Sequence, residues 1–393
     1  MQRNFEGLRK LNTSSQNQSP ETGSLIAAYN SFGFKLLAQL VKEEAGRNVL
    51  VSPLGAAISL AAVQAGAGGE TRGALAKVLE LEDAGIEEIN RGNAELRTAL
   101  AGVDAEIQIA FANAIWVREG LSVAPSFTRT SREFYGVVVK ELDFTDARSP
   151  GVINEWVRGE TRGKIERLVE SSDLGADTDL ILMNSAYFKG LWAKPFNPDD
   201  TGSGLFYSQK KAQKKVSLMS QTNEFAYLRK ANFQAAGLPY GDGQLSMCIF
   251  LPSEGVKLEE FVAAIDAGKW EGWVSGLQET KLEIFLPRFK MEYEAELKQP
   301  LSKLGMGVAF TAEADFSPMG LGRQFISGIR HKTMAQVDEQ GAEAAAVTAI
   351  FMGRSLSAPP RMVVNRPFLW AIRHNTNRAL LFVGVVNDPE PVA

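Results

Sequence analysis

The sequence predicts an α+β fold organised around a large sheet. Three observations carry this reading: helical spacing fills the first third of the chain, strand patterns fill most of the rest, and the C-terminus ends in a dense apolar hairpin. Leu25, Tyr29, Phe32, Leu36 and Leu40 recur at three and four residues and give one apolar helix face. Ser52-Pro53 is a helix start, because Ser52 can cap the free amides and Pro53 fits the first helical position. That helix should run through Ile58, Leu60 and Val63 and stop at Gly66. Gly66 to Gly69 lacks the Gly-Lys-Ser/Thr ending of a phosphate loop and reads as a turn between helices. Ile107 to Val117 alternates as a strand does, and Val152 to Trp156 suggests a short helix. Leu180 to Phe188 reads as a buried strand; Lys281 to Phe289 and Lys332 to Asp338 are further strands. Phe368 to Ile372 and Ala379 to Val386, joined by Asn375-Thr376-Asn377, form the hairpin.

Composition narrows the function classes. The chain has 393 residues, 42 Lys plus Arg against 46 Asp plus Glu, a formal charge of −4 and 45% apolar residues. A mildly acidic chain has no global attraction for nucleic acid. The cluster Lys210, Lys211, Lys214 and Lys215 is therefore read as a solvated face. The single cysteine, Cys248, rules out an internal disulfide framework and a multi-cysteine zinc site. Two histidines, His331 and His374, leave little material for metal or general-base chemistry, so no metal and no cofactor are expected. There is no Gly-x-Ser-x-Gly elbow to support a serine hydrolase. No window approaches about 18 uninterrupted apolar residues, so no membrane partner is expected. Residues 1–23 are polar, without the apolar stretch of a signal peptide, and read as a mobile tail.

One segment breaks the pattern. Gly341 to Pro360 lies between strand-like segments, yet Gly353 and Pro359-Pro360 deny it a helix. A connection of about 20 residues without firm structure is uncommon in a compact domain. Read with period two, Ala342, Ala344, Ala346, Thr348, Ile350 and Met352 share one face, small at its start and apolar at its end. Such a segment could slip between two strands, whereas composition alone favours a flexible Ala-rich linker.

The chain resembles the serpin superfamily from about Ser24 to Pro389. The resemblance rests on Asn48 to Leu54, Asn113-Ala114-Ile115-Trp116, Asn154-Glu155-Trp156-Val157 with Thr161 to Ile165, and Asn184 to Trp192. Val337 to Ala346, Asn365-Arg366-Pro367-Phe368 and Phe382 to Asn387 complete it in order. It implies one domain over 24–393, with three β-sheets, eight or nine α-helices and an exposed reactive-centre loop at about 340–360. It also implies a non-enzyme: a suicide inhibitor of serine proteases. The protease serine attacks the bait bond and forms an acyl ester. The cut loop then inserts into the central sheet and deacylation stalls.

Individual residues carry over from the same resemblance. The hinge comprises Glu339, Gly341, Ala342, Glu343, Ala344, Ala345, Ala346 and Thr348. Trp192 falls at the top of the sheet where insertion begins, with Arg288 a partner for Glu339. Ser52, Asn184 and His331 match the polar cluster beneath the sheet centre, from which Gly55 departs by replacing a common serine. The usual family spacing from Glu339 lands on Ser355. Arg354-Ser355 is a trypsin-type bond and is preferred as bait; Leu356-Ser357 would suit a chymotrypsin- or elastase-like enzyme. The expected partner is a target serine protease in a covalent complex with a monomeric chain. The acidic stretch Glu80 to Glu88 occupies the region where heparin-activated relatives gather basic residues, so no heparin activation is expected. The resemblance points to an extracellular location, and the lack of a signal sequence keeps the cytoplasm open. A non-inhibitory serpin acting as carrier, chaperone or substrate, and an inhibitor of cysteine proteases, are the alternatives.

Overall fold

The computed structural model describes residues 19–104, 107–208, 212–322, 324–339 and 358–391. Nine α-helices occur among them: α1 Pro20–Glu43, α2 Pro53–Ala65, α3 Gly69–Leu79, α4 Ile86–Ala101, α5 Pro125–Thr130, α6 Ser149–Glu160, α7 Leu258–Ala263, α8 Ala267–Ser275 and α9 Lys298–Leu301. Helix α1 begins at Pro20, inside the stretch read from sequence as tail. Ser19 caps it, Pro20 takes the first turn, and Thr22 is buried and donates to Glu95 at 2.5 Å. Capping outweighs the polarity that made this stretch look unstructured. Ser52 caps α2 as the sequence suggests, and α2 stops at Gly66.

The strands form two hydrogen-bonded sheets. The smaller contains β2 (Gln108–Arg118), β3 (Val138–Leu142), β4 (Leu180–Lys189), β10 (Phe289–Glu296) and β11 (Ile326–Val337), in the order β10-β11-β4-β2-β3. The larger contains β1 (Val49–Val51), β5 (Gly202–Tyr207), β6 (Gln213–Arg229), β7 (Phe233–Tyr240), β8 (Leu245–Pro252), β9 (Gln278–Pro287), β12 (Arg361–Val363), β13 (Phe368–His374) and β14 (Leu380–Val386). Its order is β1-β14-β13-β8-β7-β6-β9-β12, with β5 added to β6. Two of the three expected sheets are thus continuous. The reason is β6: its 17 residues pair with β5 at one end and β7 at the other.

The main core fills the space between helices α1–α4 and the sheets. A second apolar cluster lies on the opposite face of the smaller sheet. There Ile153 and Val157 of α6 pack on Ala114, Trp116, Ile181 and Met183, and Trp156 meets Trp116 edge-on at 5.9 Å. Burial of each such aliphatic side chain contributes about 1.5–3 kcal/mol. Helix α6 is therefore clamped across the sheet. No described helix is long and apolar enough to cross a membrane.

Candidate functional site

The smaller sheet contains an unusual centre. Strands β4 and β11 pair in parallel, with His331 opposite Asn184 and Lys332 opposite Ser185, although antiparallel neighbours flank them as β2 and β10. Parallel pairing is slightly less stable per residue than antiparallel pairing. A strand placed between β4 and β11 and antiparallel to both would exchange one parallel ladder for two antiparallel ones.

The upper end of this seam is firmly held. Trp192 follows β4, donates its Nε1–H to the Asp338 carbonyl at 2.8 Å, and stacks on Tyr240 with centroids 4.3 Å apart. Phe196 meets the same indole edge-on. Asp338 Oδ2 accepts from Gln336 at 2.7 Å and faces Lys189 Nζ at 3.7 Å. Glu339 is 5% exposed. Its Oε1 accepts from the Thr201 hydroxyl at 2.6 Å, and its Oε2 lies 3.1 Å from Arg288 Nε. The Nε–H is not aligned on the carboxylate, so this contact is an ion pair and not a directed hydrogen bond. Arg288 occupies the one-residue break between β9 and β10, where its amide donates to the Ser217 carbonyl. The structure therefore brings Trp192, Arg288 and Glu339 to one place, where β11 ends.

The centre of the seam is polar and buried. His331 is wholly buried; its Nε2 accepts the Ser52 amide at 3.2 Å, and Nδ1 has no partner. Desolvation pushes its pKa down to about 3, so the ring is neutral near pH 7. The Ser52 hydroxyl donates to the Leu381 carbonyl at 2.8 Å and accepts from the Gly55 amide at 3.3 Å. Asn184 donates to Asn113 Oδ1, while its own Oδ1 and the Ser185 hydroxyl lack partners. Gly55 explains how these groups meet: a Cβ there would lie 2.7 Å from Asn184 Nδ2 and 3.0 Å from Ser52 Oγ. The absent side chain is what admits Asn184 to the start of α2.

Other residues singled out in the sequence fall elsewhere. His374 ends β13 and is buried, and burial also pushes the Cys248 thiol up to about 11, which disfavours its thiolate. Gly341, Ala342, Glu343, Ala344, Ala345, Ala346 and Thr348 lie outside the described residues, as do Arg354, Ser355, Leu356 and Ser357. Sequence reasoning missed Thr201, Tyr240 and Asn113. Thr201 and Tyr240 carry no local signal. Asn113 did: an amide in a buried apolar strand needs a partner, which Asn184 supplies.

Comparison with known proteins agrees with this architecture. The serpin (serine protease inhibitor) family model matches residues 27–389. Human Serpin B9 is 32% identical over 376 residues, covering 93% of this chain and all of the relative. The bovine leukocyte elastase inhibitor is 32% identical, covering 93% and 99%. The crystal structure of native protease nexin-1 with heparin superposes with a TM-score of 0.85 at 28% identity, covering 94% of this chain and 99% of that one. With a matched family model over most of its length, relatives of this identity and a shared fold, the chain belongs to the serpin family of serine protease inhibitors.

Proposed function

We propose that the chain is an irreversible, suicide-type inhibitor of trypsin-like serine proteases. The protease serine attacks the carbonyl of Arg354 and forms an ester there, releasing the amine of Ser355. The freed segment from Gly341 onward then enters the seam between β4 and β11 as an added strand and carries the tethered protease away before water can cleave the ester. One observation supports this most: the direct parallel pairing of β4 with β11 lies just below the anchored Glu339, where the Ala-rich segment departs. At a net ~0.5–1.5 kcal/mol per hydrogen bond, a dozen new sheet bonds release on the order of 10 kcal/mol. That is comparable with the whole stability of an ordinary domain. The small side chains Ala342, Ala344 and Ala346 suit a leading end that must move quickly.

Incubation with trypsin followed by denaturing electrophoresis tests the proposal. A stable band at the summed masses is expected; a slightly shortened chain alone would make this a substrate serpin. Mass spectrometry of the released peptide fixes the bait bond. Release after Arg354 is expected, and release after Leu356 would favour an elastase-like target, the class named in the bovine relative. We further propose that heparin gives no acceleration. Glu80, Glu82, Asp83, Glu87 and Glu88 gather at the turn into α4 and repel a polyanion.

A further inference from the structure

Between α6 and β4 the chain makes a strap, residues 161–179, that lies over the outer face of the smaller sheet. Its course is fixed by specific contacts. Arg162 and Gly163 take left-handed φ values of 52° and 77° at the turn out of α6. The Asn154 carboxamide accepts the Leu168 and Val169 amides and donates to the Val169 carbonyl. Ile165, Leu168 and Val169 are buried in the apolar cluster beneath α6, and Lys164 Nζ sits 5.5 Å over the Tyr187 ring of β4. The strap then reaches past the seam to β11. Asp173, in the short turn Ser171–Asp173, uses its two oxygens differently. Oδ2 accepts the Glu170 amide at 2.8 Å, closing the turn, and Oδ1 accepts from Arg330 of β11. Both side chains are largely covered, 23% exposed for Arg330 and 17% for Asp173.

Arg330 stands opposite Met183 across the parallel seam. The strap thus joins the β4 side of the seam to the β11 side with a charge-assisted contact. A strand entering the seam would project alternate side chains into the layer the strap now fills. We propose that the Asp173–Arg330 pair is a latch that sets how fast the seam admits a strand, which makes both of them positioning residues for loop insertion. This rests on the strand-insertion part of the reading above, not on the choice of protease or the trapping of its ester. Opening the latch costs one largely buried charge-assisted contact, so its loss should speed strand entry about tenfold.

The test measures uptake of a synthetic peptide of residues Gly341–Met352 by the full chain, followed by native electrophoresis and by the rise in melting temperature of the loaded protein. Asp173→Asn keeps an oxygen for the Glu170 amide, and Arg330→Met keeps the apolar stem, so both should fold. Each single variant is expected to take up peptide about tenfold faster than the parent. The double variant should be no faster than either single, because both remove the same contact. Unchanged uptake rates in folded variants would overturn the latch, even if their melting temperatures fell, since that pattern marks a merely stabilising pair. A parent chain that never admits the peptide would overturn it too, there being no passage to guard. Complex formation with trypsin by the parent is scored separately: its failure with peptide uptake intact removes the inhibitory reading and leaves the latch standing.

Discussion

Replacing Arg288 by methionine removes the cation from a carboxylate that has almost no access to water. Glu339 is 5% exposed and would keep only the Thr201 hydroxyl, at 2.6 Å. Breaking a buried ion pair by deleting one partner costs about 3–5 kcal/mol. The Arg288 side chain is 32% exposed, so solvent already screens part of the pair. The unaligned Nε–H weakens it further, and we expect about 2 kcal/mol. At about 2 cal/mol/K of unfolding entropy per residue, that lowers the melting temperature of a chain of this length by about 2 °C. Scanning calorimetry of the uncleaved protein reads this directly. The companion Arg288→Met/Glu339→Gln variant removes the stranded charge and should recover at least half of the loss. An unchanged melting temperature in Arg288→Met, or a double variant that merely sums the two single losses, would refute the idea that this pair anchors the end of β11.

Three further outcomes follow from the same geometry. Gly55→Ala should lower stability by about 1–3 kcal/mol, because the new methyl must displace the buried Asn184 amide; a gain in the urea midpoint, as helix propensity alone would give, would contradict this. His331 has a folded pKa of about 3 against an ordinary 6.5, so between these values the unfolded chain binds the extra proton. Stability is then fully present above about pH 6.5 and falls as the pH drops, by up to about 1.4 kcal/mol per unit for this one group. His331→Gln, which retains an acceptor for the Ser52 amide, should flatten the unfolding profile between pH 6.5 and 4; an identical slope would show that the histidine is not responsible. On the proposed mechanism, Ala342→Arg puts a charge on the leading end of the inserting segment and should convert inhibitor to substrate; an undiminished yield of protease complex would count against insertion through the seam.

Much of this architecture was legible in the residues. Strands β2, β4, β13 and β14 are announced by alternation or by continuous apolar runs, and Ser52-Pro53 marks the start of α2 because capping chemistry is local. Ser19-Pro20 carries the same local cap signal at the start of α1, but it sits in a polar run without apolar periodicity, and Glu95, the partner of Thr22, lies far along the chain. That two of the three sheets join was not legible, because strand length, unlike strand existence, depends on what pairs at each end of β6. The site divides in the same way. Family motifs point to Trp192, Arg288, Glu339, Ser52, Asn184 and His331. Their partners Tyr240 and Thr201, and the latch residues Asp173 and Arg330, are joined by tertiary contacts between segments with no shared periodicity. The consequence of Gly55 is steric and needs the position of Asn184 to be known.

A structure of the chain after cleavage in the loop tests the central claim most directly. The account predicts a new strand between β4 and β11, antiparallel to both, so that His331 no longer faces Asn184 across a shared ladder. A cleaved chain in which β4 and β11 keep their direct parallel pairing, with the freed segment outside the sheet, would contradict it.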